Sequence, residues 1–397
     1  RYDARPVREE PAGTTGEIEE ARSRFSLAEM SRRRSQLESQ MDLAGVDQVL
    51  LYAASREGGA VQWLTQWRVT QEAALLLAPG RDAVLLVEFA NHVPNALAEA
   101  DDVDVRWGGE ALVQTALGLL GARGAATQRI GIVGPLPASY LAALASTVGS
   151  YCFLDDRYRE LRLVKSSEEV EWLRTGALLS DAAVSSLVAH ADLGTSEVEL
   201  CALLERAYLP FGGTNHIHYL GTTSMEAPAL CVPRQWPTAR RLQHGDALTC
   251  EVSASWFGYP GQLLRTFAVG CELNRAYRRL HDVADAAFAA VATRVAPGTT
   301  VAQLAEAAEL IEQAGFTTYD DVVHGFGGGY LPPLVPGGRR PGLRPEFELQ
   351  AGMTLVVQPN VVSLDGSAGV QTGELLLVTK DGSESLHRFP RGAGRIA

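Results

Sequence analysis

His324 lies in VVHGFGGGY, where the glycines that follow let backbone approach closely and turn sharply, so an imidazole there can meet a ligand at short range. Imidazole titrates near neutrality without help. Glu251 sits among apolar neighbours in CEVSASWFGYPGQLLRTF, and a buried carboxyl needs either a partner or a raised pKa, which are also the conditions of a proton-transfer group. Its plain structural alternative is an ion pair with Arg265, at the end of the same stretch. Eleven residues beyond Glu251 stands Gln262, an amide that accepts and donates hydrogen bonds but brings no charge. His216 and His218 alternate in NHIHYLG, so both are expected to face the same way from a strand, as part of a site or as a polar edge. Cys231 has no histidine beside it in sequence, which disfavours a thiolate nucleophile.

Strands and glycine turns must hold these groups, and the apolar pattern supplies them. Residues 1–26 read as an extended or loosely docked arm, with Pro, Gly, Thr and charges in no sustained period. From Leu27 a helical pattern begins, with Leu27, Met30, Leu37, Met41 and Leu43 on one side and Gly45 as its stop. The runs DQVLLYAA, EAALLLAPG, DAVLLVEF and RIGIVG read as buried strands alternating with helical stretches, which predicts an α/β domain over residues 27–160. A second domain, residues 161–397, opens on a long helix with Ser167 as its cap. It continues through a second helix, a strand-rich stretch from Thr214 to Gly270, two more helices and a final return to strands, an α+β pattern.

A chain of 397 residues exceeds one ordinary hydrophobic core, in keeping with two domains. The formal charge of −12 and the lack of a basic patch beyond Arg32–Arg34 exclude a nucleic-acid footprint. No window approaches the apolar length of a membrane helix and the first residues are polar and acidic, so no membrane partner is expected and the expected location is the cytoplasm. Five cysteines without CxxC spacing disfavour both a disulfide framework and a structural zinc site.

Five pieces in order, RLVKSSEEVEWLR, GDALTCEVSASWFGYPGQLLRTF, VVHGFGGG, GMTLVVQP and GVQTGELLLVTKDG, resemble the pita-bread hydrolases: methionine aminopeptidase, prolidase, aminopeptidase P and creatinase. The preceding α/β unit resembles the amino-terminal domain that the last three add to that fold. In metal-dependent members, two aspartates, a histidine and two glutamates hold two divalent ions that activate a bridging water. Carried over, those positions are Glu251, Gln262, His324, Gln358, and Gly373 or, with one residue inserted, Glu374. Two carboxylates have become amides, which return only dipoles for a cation's lost hydration. The resemblance to creatinase, which uses the fold without a metal, implies no metal and no cofactor here. A single ion on Glu251, His324 and Glu374 is the alternative.

The function implied is a metal-independent, creatinase-like hydrolase of a C–N bond in a small molecule, with His324, Glu251 and Glu374 as catalytic residues. Gln262, Gln358, Arg265, Arg234, His216, His218 and Tyr330 are expected to bind substrate, Arg234 as a bidentate carboxylate clamp. The family loop that presents a substrate-facing histidine has none here near Arg234–Trp236. Alternatives are a lyase acting on a small polar substrate, a mononuclear metal-dependent peptidase-like hydrolase, and a non-catalytic pseudo-peptidase that binds a ligand. A homodimer is implied because the two-domain members commonly pair.

Overall fold

The computed structural model describes residues 14–21, 23–54, 59–337 and 346–396. The chain divides into two compact units, Arg22–Arg162 and one that runs from Leu163 to the carboxyl end and includes the described residues 14–21.

In the Arg22–Arg162 unit, strands β1 (Gln48–Ala54), β2 (Glu72–Leu77), β3 (Val84–Val87), β4 (Asp104–Trp107), β5 (Arg129–Val133) and β6 (Ser150–Phe153) form a mixed sheet in the order β4-β3-β2-β1-β5-β6. Val49, Leu51 and Ala53 of β1 face one apolar cluster while Leu50 and Tyr52 face another, so both sides of the sheet are covered. The four apolar runs read from the sequence are β1, β2, β3 and β5. The exposed edge strands β4 and β6 carry no such run. Helix Leu27–Ala44 is capped by Ser26 and ends at Gly45, whose φ of 60° is left-handed. Met30, Leu37 and Met41 are buried on it, but Leu27 and Leu43 are exposed. Arg33 joins the buried stripe instead, where it pairs with Glu29 and donates to the Trp63 carbonyl at 2.9 Å.

The other unit carries a nine-stranded sheet built from β7 (Thr214–Ser224), β8 (Asp246–Trp256), β9 (Tyr259–Val269), β10 (Asp321–Phe326), β11 (Tyr330–Pro336), β12 (Thr354–Val357), β15 (Gly373–Val378), β16 (Ser383–Ser385) and β17 (Gly394–Ile396). Its main path runs β11-β10-β12-β15-β9-β8-β7, and a separate short pair, β13 (Val361–Val362) and β14 (Gly369–Val370), lies beside it. The back of β10, β12 and β15 packs on helices Arg275–Arg294 and Val301–Ala308 through Val323, Leu355, Val357, Phe288 and Leu304. The back of β8 and β9 packs on helix Ser167–His190. That contact is backbone-close: a Cβ on Gly261 would lie 2.3 Å from Ala177, and one on Gly176 would lie 2.3 Å from the Tyr259 carbonyl. Ser180 fastens it by donating to the Gly261 carbonyl and accepting from the Ala254 amide at 2.8 Å. The next residue along β9 is Gln262, whose position this clamp fixes.

Two local expectations change. The long helix is capped by Ser166, not Ser167, through a capping box with Glu169. Within the expected arm, Thr14–Glu19 is helical and lies against helix Ser167–His190 of the same unit, with Ile18 buried and Glu17 paired to Arg388 at 2.8 Å. Six residues are too short to show a period. Residues 1–13 and 22 of that arm lie outside the described residues. Among the described residues no helix is long and apolar enough to cross a membrane.

Candidate functional site

Cross-strand partners share a face of a sheet. Glu251 is opposite Leu264 and Ser253 is opposite Gln262 in the β8–β9 ladder, Leu264 is opposite Gly373 in the next, and His324 is opposite Val356, two residues before Gln358. Glu251, Ser253, Gln262, His324, Gln358 and Gly373 therefore line one face. Gln262 Nε2 donates to Glu251 Oε1 at 2.5 Å and approaches Gln358 Oε1 at 3.4 Å. Gln358 Nε2 donates to the Asp321 carbonyl at 3.1 Å. Tyr330 stacks on the His324 ring, with centroids 4.0 Å apart, and donates to Asp321 Oδ2 at 3.0 Å. The sheet curls far enough that His216, near the start of β7, meets Phe326 of β10 with ring centroids 5.9 Å apart.

Other expected members go elsewhere. Glu374 is opposite Leu263, on the far face of β9, and there it pairs with Arg265 at 2.9 Å in a fully buried ion pair. The alternation of β9 makes this unavoidable once Gln262 faces the site. The partner considered for Arg265, Glu251, is on the opposite face. Arg234 forms a bridge with Leu220 and lies 3.6 Å from Glu197, whose carboxylate also accepts from Thr222 and Thr238. A bulge between Asn215 and Ile217 breaks the alternation expected of the histidine pair. His218 consequently turns to the Tyr208 hydroxyl, 2.8 Å away, while His216 turns to Phe326. Ser253 and Gln371 were not read from the sequence. Ser253 is two residues after Glu251, a spacing that on a strand places it on the same face.

Burial sets the protonation of the floor. Desolvation, aided by the charge of Asp320 and opposed by the Gln262 hydrogen bond, pushes the Glu251 carboxyl up to about 8. Desolvation lowers His324 to about 4, against the Gly325 carbonyl, the Gln358 amide and the charge of Asp321. At neutral pH the pair is therefore a carboxylic acid and a neutral imidazole, a donor and an acceptor of protons. His324 Nδ1 faces the Gly325 carbonyl at 3.2 Å, which assigns the hydrogen to Nδ1 and leaves Nε2 an acceptor. Four buried polar groups on or beside this face lack hydrogen-bond partners: His324 Nε2, Gln262 Oε1, Ser253 Oγ and both ends of the Gln371 amide. Native interiors seldom leave such atoms orphaned, so bound water or a polar ligand is the natural partner.

Residues 171–380 match the sequence profile of metallopeptidase family M24. The chain belongs to this family. It is a hydrolase of the M24 class, with an α/β domain followed by a pita-bread domain, similar to prolidase and aminopeptidase P. It is 25% identical over 268 residues to a Xaa-Pro dipeptidase of Pyrococcus furiosus, covering 67% of this chain and 75% of that one. It is 24% identical over 353 residues to the uncharacterized peptidase YqhT of Bacillus subtilis, covering 87% and 95%. The prolidase of Pyrococcus horikoshii superposes with a TM-score of 0.76 at 20% identity, covering 91% of this chain and 99% of that chain. The X-Pro aminopeptidase of Thermotoga maritima gives 0.78 at 18%, with the same coverage.

The family's metal pair fits poorly on these residues. Gln262 and Gln358 are neutral, and Glu251 already accepts from Gln262. Glu374 is consumed by Arg265 on the other face. Among the described residues no three His, Cys, Asp or Glu side chains converge so as to hold an ion. At Gly373 a Cβ would lie 2.6 Å from the Val357 carbonyl, so β12 and β15 leave no room for a ligand side chain there.

Proposed function

We propose that this chain hydrolyses an amide-type C–N bond in a small polar molecule and uses its own acid and base instead of a metal-bound water. The geometry that supports this reading is a carboxyl, Glu251, and an imidazole, His324, on one face of the sheet with the Gln262 and Gln358 amides beside them, where the family resemblance expects metal-binding carboxylates. Burial raises the pKa of the first and lowers that of the second. In the proposed reaction His324 Nε2 takes a proton from water as its oxygen bonds to the amide carbon. Glu251 gives its proton to the departing nitrogen as the C–N bond breaks, leaving a carboxylic acid and an amine. The imidazolium proton then returns to Glu251 through solvent. Gln262 Oε1 and Ser253 Oγ hold the substrate's polar atoms.

A limb near pH 4 and another near pH 8 are expected in the profile of kcat/KM, from loss of the base below the first and of the acid above the second. A profile with a single rising limb near pH 7 would contradict the assignment.

The names of the relatives favour a second reading, a metal-dependent peptidase cleaving Xaa-Pro dipeptides. Elemental analysis and a substrate screen with and without Mn²⁺ separate the two. Purified protein is expected to hold well under one equivalent of Mn, Fe, Co or Zn, and to turn over small amides equally before and after chelation. One tightly held ion per chain, or dipeptide cleavage restored by Mn²⁺, would establish the second reading in place of the first.

A further inference from the structure

In the Arg22–Arg162 unit a cavity of about 430 Å³ opens between helix Leu27–Ala44 and the Asp101–Asp102 turn, a volume typical of a small-molecule site. Leu27, Ser31, Ser35 and Glu38 line it at intervals of three and four, so one stripe of the helix faces it. Leu27, 72% exposed, and the buried Met30 form its apolar wall. Arg34 would be the ordinary partner of Glu38, one turn further on. It turns instead to Asp102, taking the carboxylate and, at 3.1 Å, the carbonyl. Asp102 stands there at φ 51°, a left-handed conformation that residues other than glycine seldom adopt. Asp101 is engaged as well, by Arg24 at 2.7 Å and by Gln66. Glu38 is left half-buried, and among the described residues neither its carboxylate nor the Ser31 and Ser35 hydroxyls have a hydrogen-bond or ionic partner. The cavity therefore offers an unpaired negative charge, two hydroxyls and an apolar wall. An anion would meet three carboxylates against one guanidinium, and an uncharged apolar guest would leave Glu38 unpaired.

We propose that this cavity binds a small organic amine in its protonated form, a primary alkylammonium with a short apolar chain. The ammonium sits on Glu38, Ser31 and Ser35, and the chain lies on Leu27 and Met30. A primary ammonium has three N–H donors and no acceptor, which matches one carboxylate and two hydroxyls. The bond to Glu38 is charge-assisted, and the chain gains by covering an otherwise exposed leucine. This site is independent of the amide-hydrolase reading, since none of its residues belongs to the floor of Glu251, Gln262 and His324.

Calorimetric titration of the full chain at pH 7 tests this with four probes: hexylammonium, methylammonium, 1-hexanol and hexanoate. Hexylammonium is expected to bind about tenfold more tightly than hexanol, an advantage reduced by salt, because only the cation pairs with Glu38. Methylammonium should bind about thirtyfold more weakly than hexylammonium, having no chain to bury, and hexanoate should not bind. Glu38→Gln should erase the preference for hexylammonium over hexanol. Leu27→Ser should weaken both hexyl probes about fivefold and leave that preference in place. The double variant Ser31→Ala with Ser35→Ala, which suits a helix, should narrow the preference without removing it. Circular dichroism reports that each variant is folded, and the serine variant decides should Glu38→Gln fail to fold. Equal binding of hexylammonium and hexanol, a preference unchanged by Glu38→Gln or by the serine variant, or no binding by either hexyl probe overturns the proposal.

Discussion

Arg265→Ala is expected to destabilise the pita-bread unit by about 3–5 kcal/mol, measured by urea denaturation at pH 7. The guanidinium is 1% exposed and saturates its surroundings. It donates to the Pro390 carbonyl at 2.9 Å, Leu264 at 2.9 Å, Gly373 at 2.8 Å and Phe389 at 3.1 Å, besides its pair with Glu374. Truncation strands a buried carboxylate and four carbonyls at once, and breaking one side of a buried pair costs far more than the pair contributes when intact. The companion variant Arg265→Met with Glu374→Leu removes both charges together and should recover much of the loss. Because both groups face away from Gln262, the double variant should keep the parent's limbs near pH 4 and pH 8 in kcat/KM. A loss below about 1 kcal/mol in Arg265→Ala would mean the ion pair is not closed in solution.

Glu251→Gln is expected to abolish turnover by about two to four orders of magnitude and yet to stabilise the fold above neutral pH. The sign follows from linkage. A carboxyl whose folded pKa is raised from 4.5 to about 8 keeps its proton in the folded state while the unfolded chain loses it, so stability falls as pH rises between those values. His324 has the opposite slope between about 4 and 6.5, because there the unfolded chain takes up a proton that the buried ring refuses. The two contributions offset each other in mildly acidic solution, and only the Glu251 penalty remains from about pH 6.5 to 8. Glutamine is neutral throughout and its carbonyl can still accept from Gln262. At about 1.4 kcal/mol per pH unit the penalty has a ceiling near 5 kcal/mol. Water reaching the floor of the site reduces it, so a gain on the order of 2 kcal/mol at pH 8, vanishing near pH 4.5, is the expected result. Melting temperatures of parent and variant across pH 4 to 8 would show it; parallel curves would mean that Glu251 is ionised in the folded protein.

The apolar runs DQVLLYAA, EAALLLAPG and RIGIVG were legible as strands because both of their faces are buried. Edge strands β4 and β6 were not, since exposed backbone makes no demand on composition. Order and spacing of motifs placed Glu251, Gln262, His324 and Gln358 on one face, since each fell on a strand whose alternation is regular. The residues that went elsewhere depend on what one sequence does not display. Whether Gly373 or Glu374 faces the site is a question of register against β9, and the choice reverses with a single residue. A bulge one residue long separated His216 from His218. Arg234 was drawn off by Glu197, 37 residues earlier in the chain, a meeting that only the folded loop creates.

Gly373 limits what side-chain replacement alone can rebuild. With β12 drawn so close that a methylene would meet the Val357 carbonyl, any side chain at this position requires the backbone to part first. Carboxylates fit at positions 262 and 358 by simple replacement, but a side chain at 373 does not, so rebuilding the five-ligand set that the family resemblance expects requires moving main chain as well as changing residues.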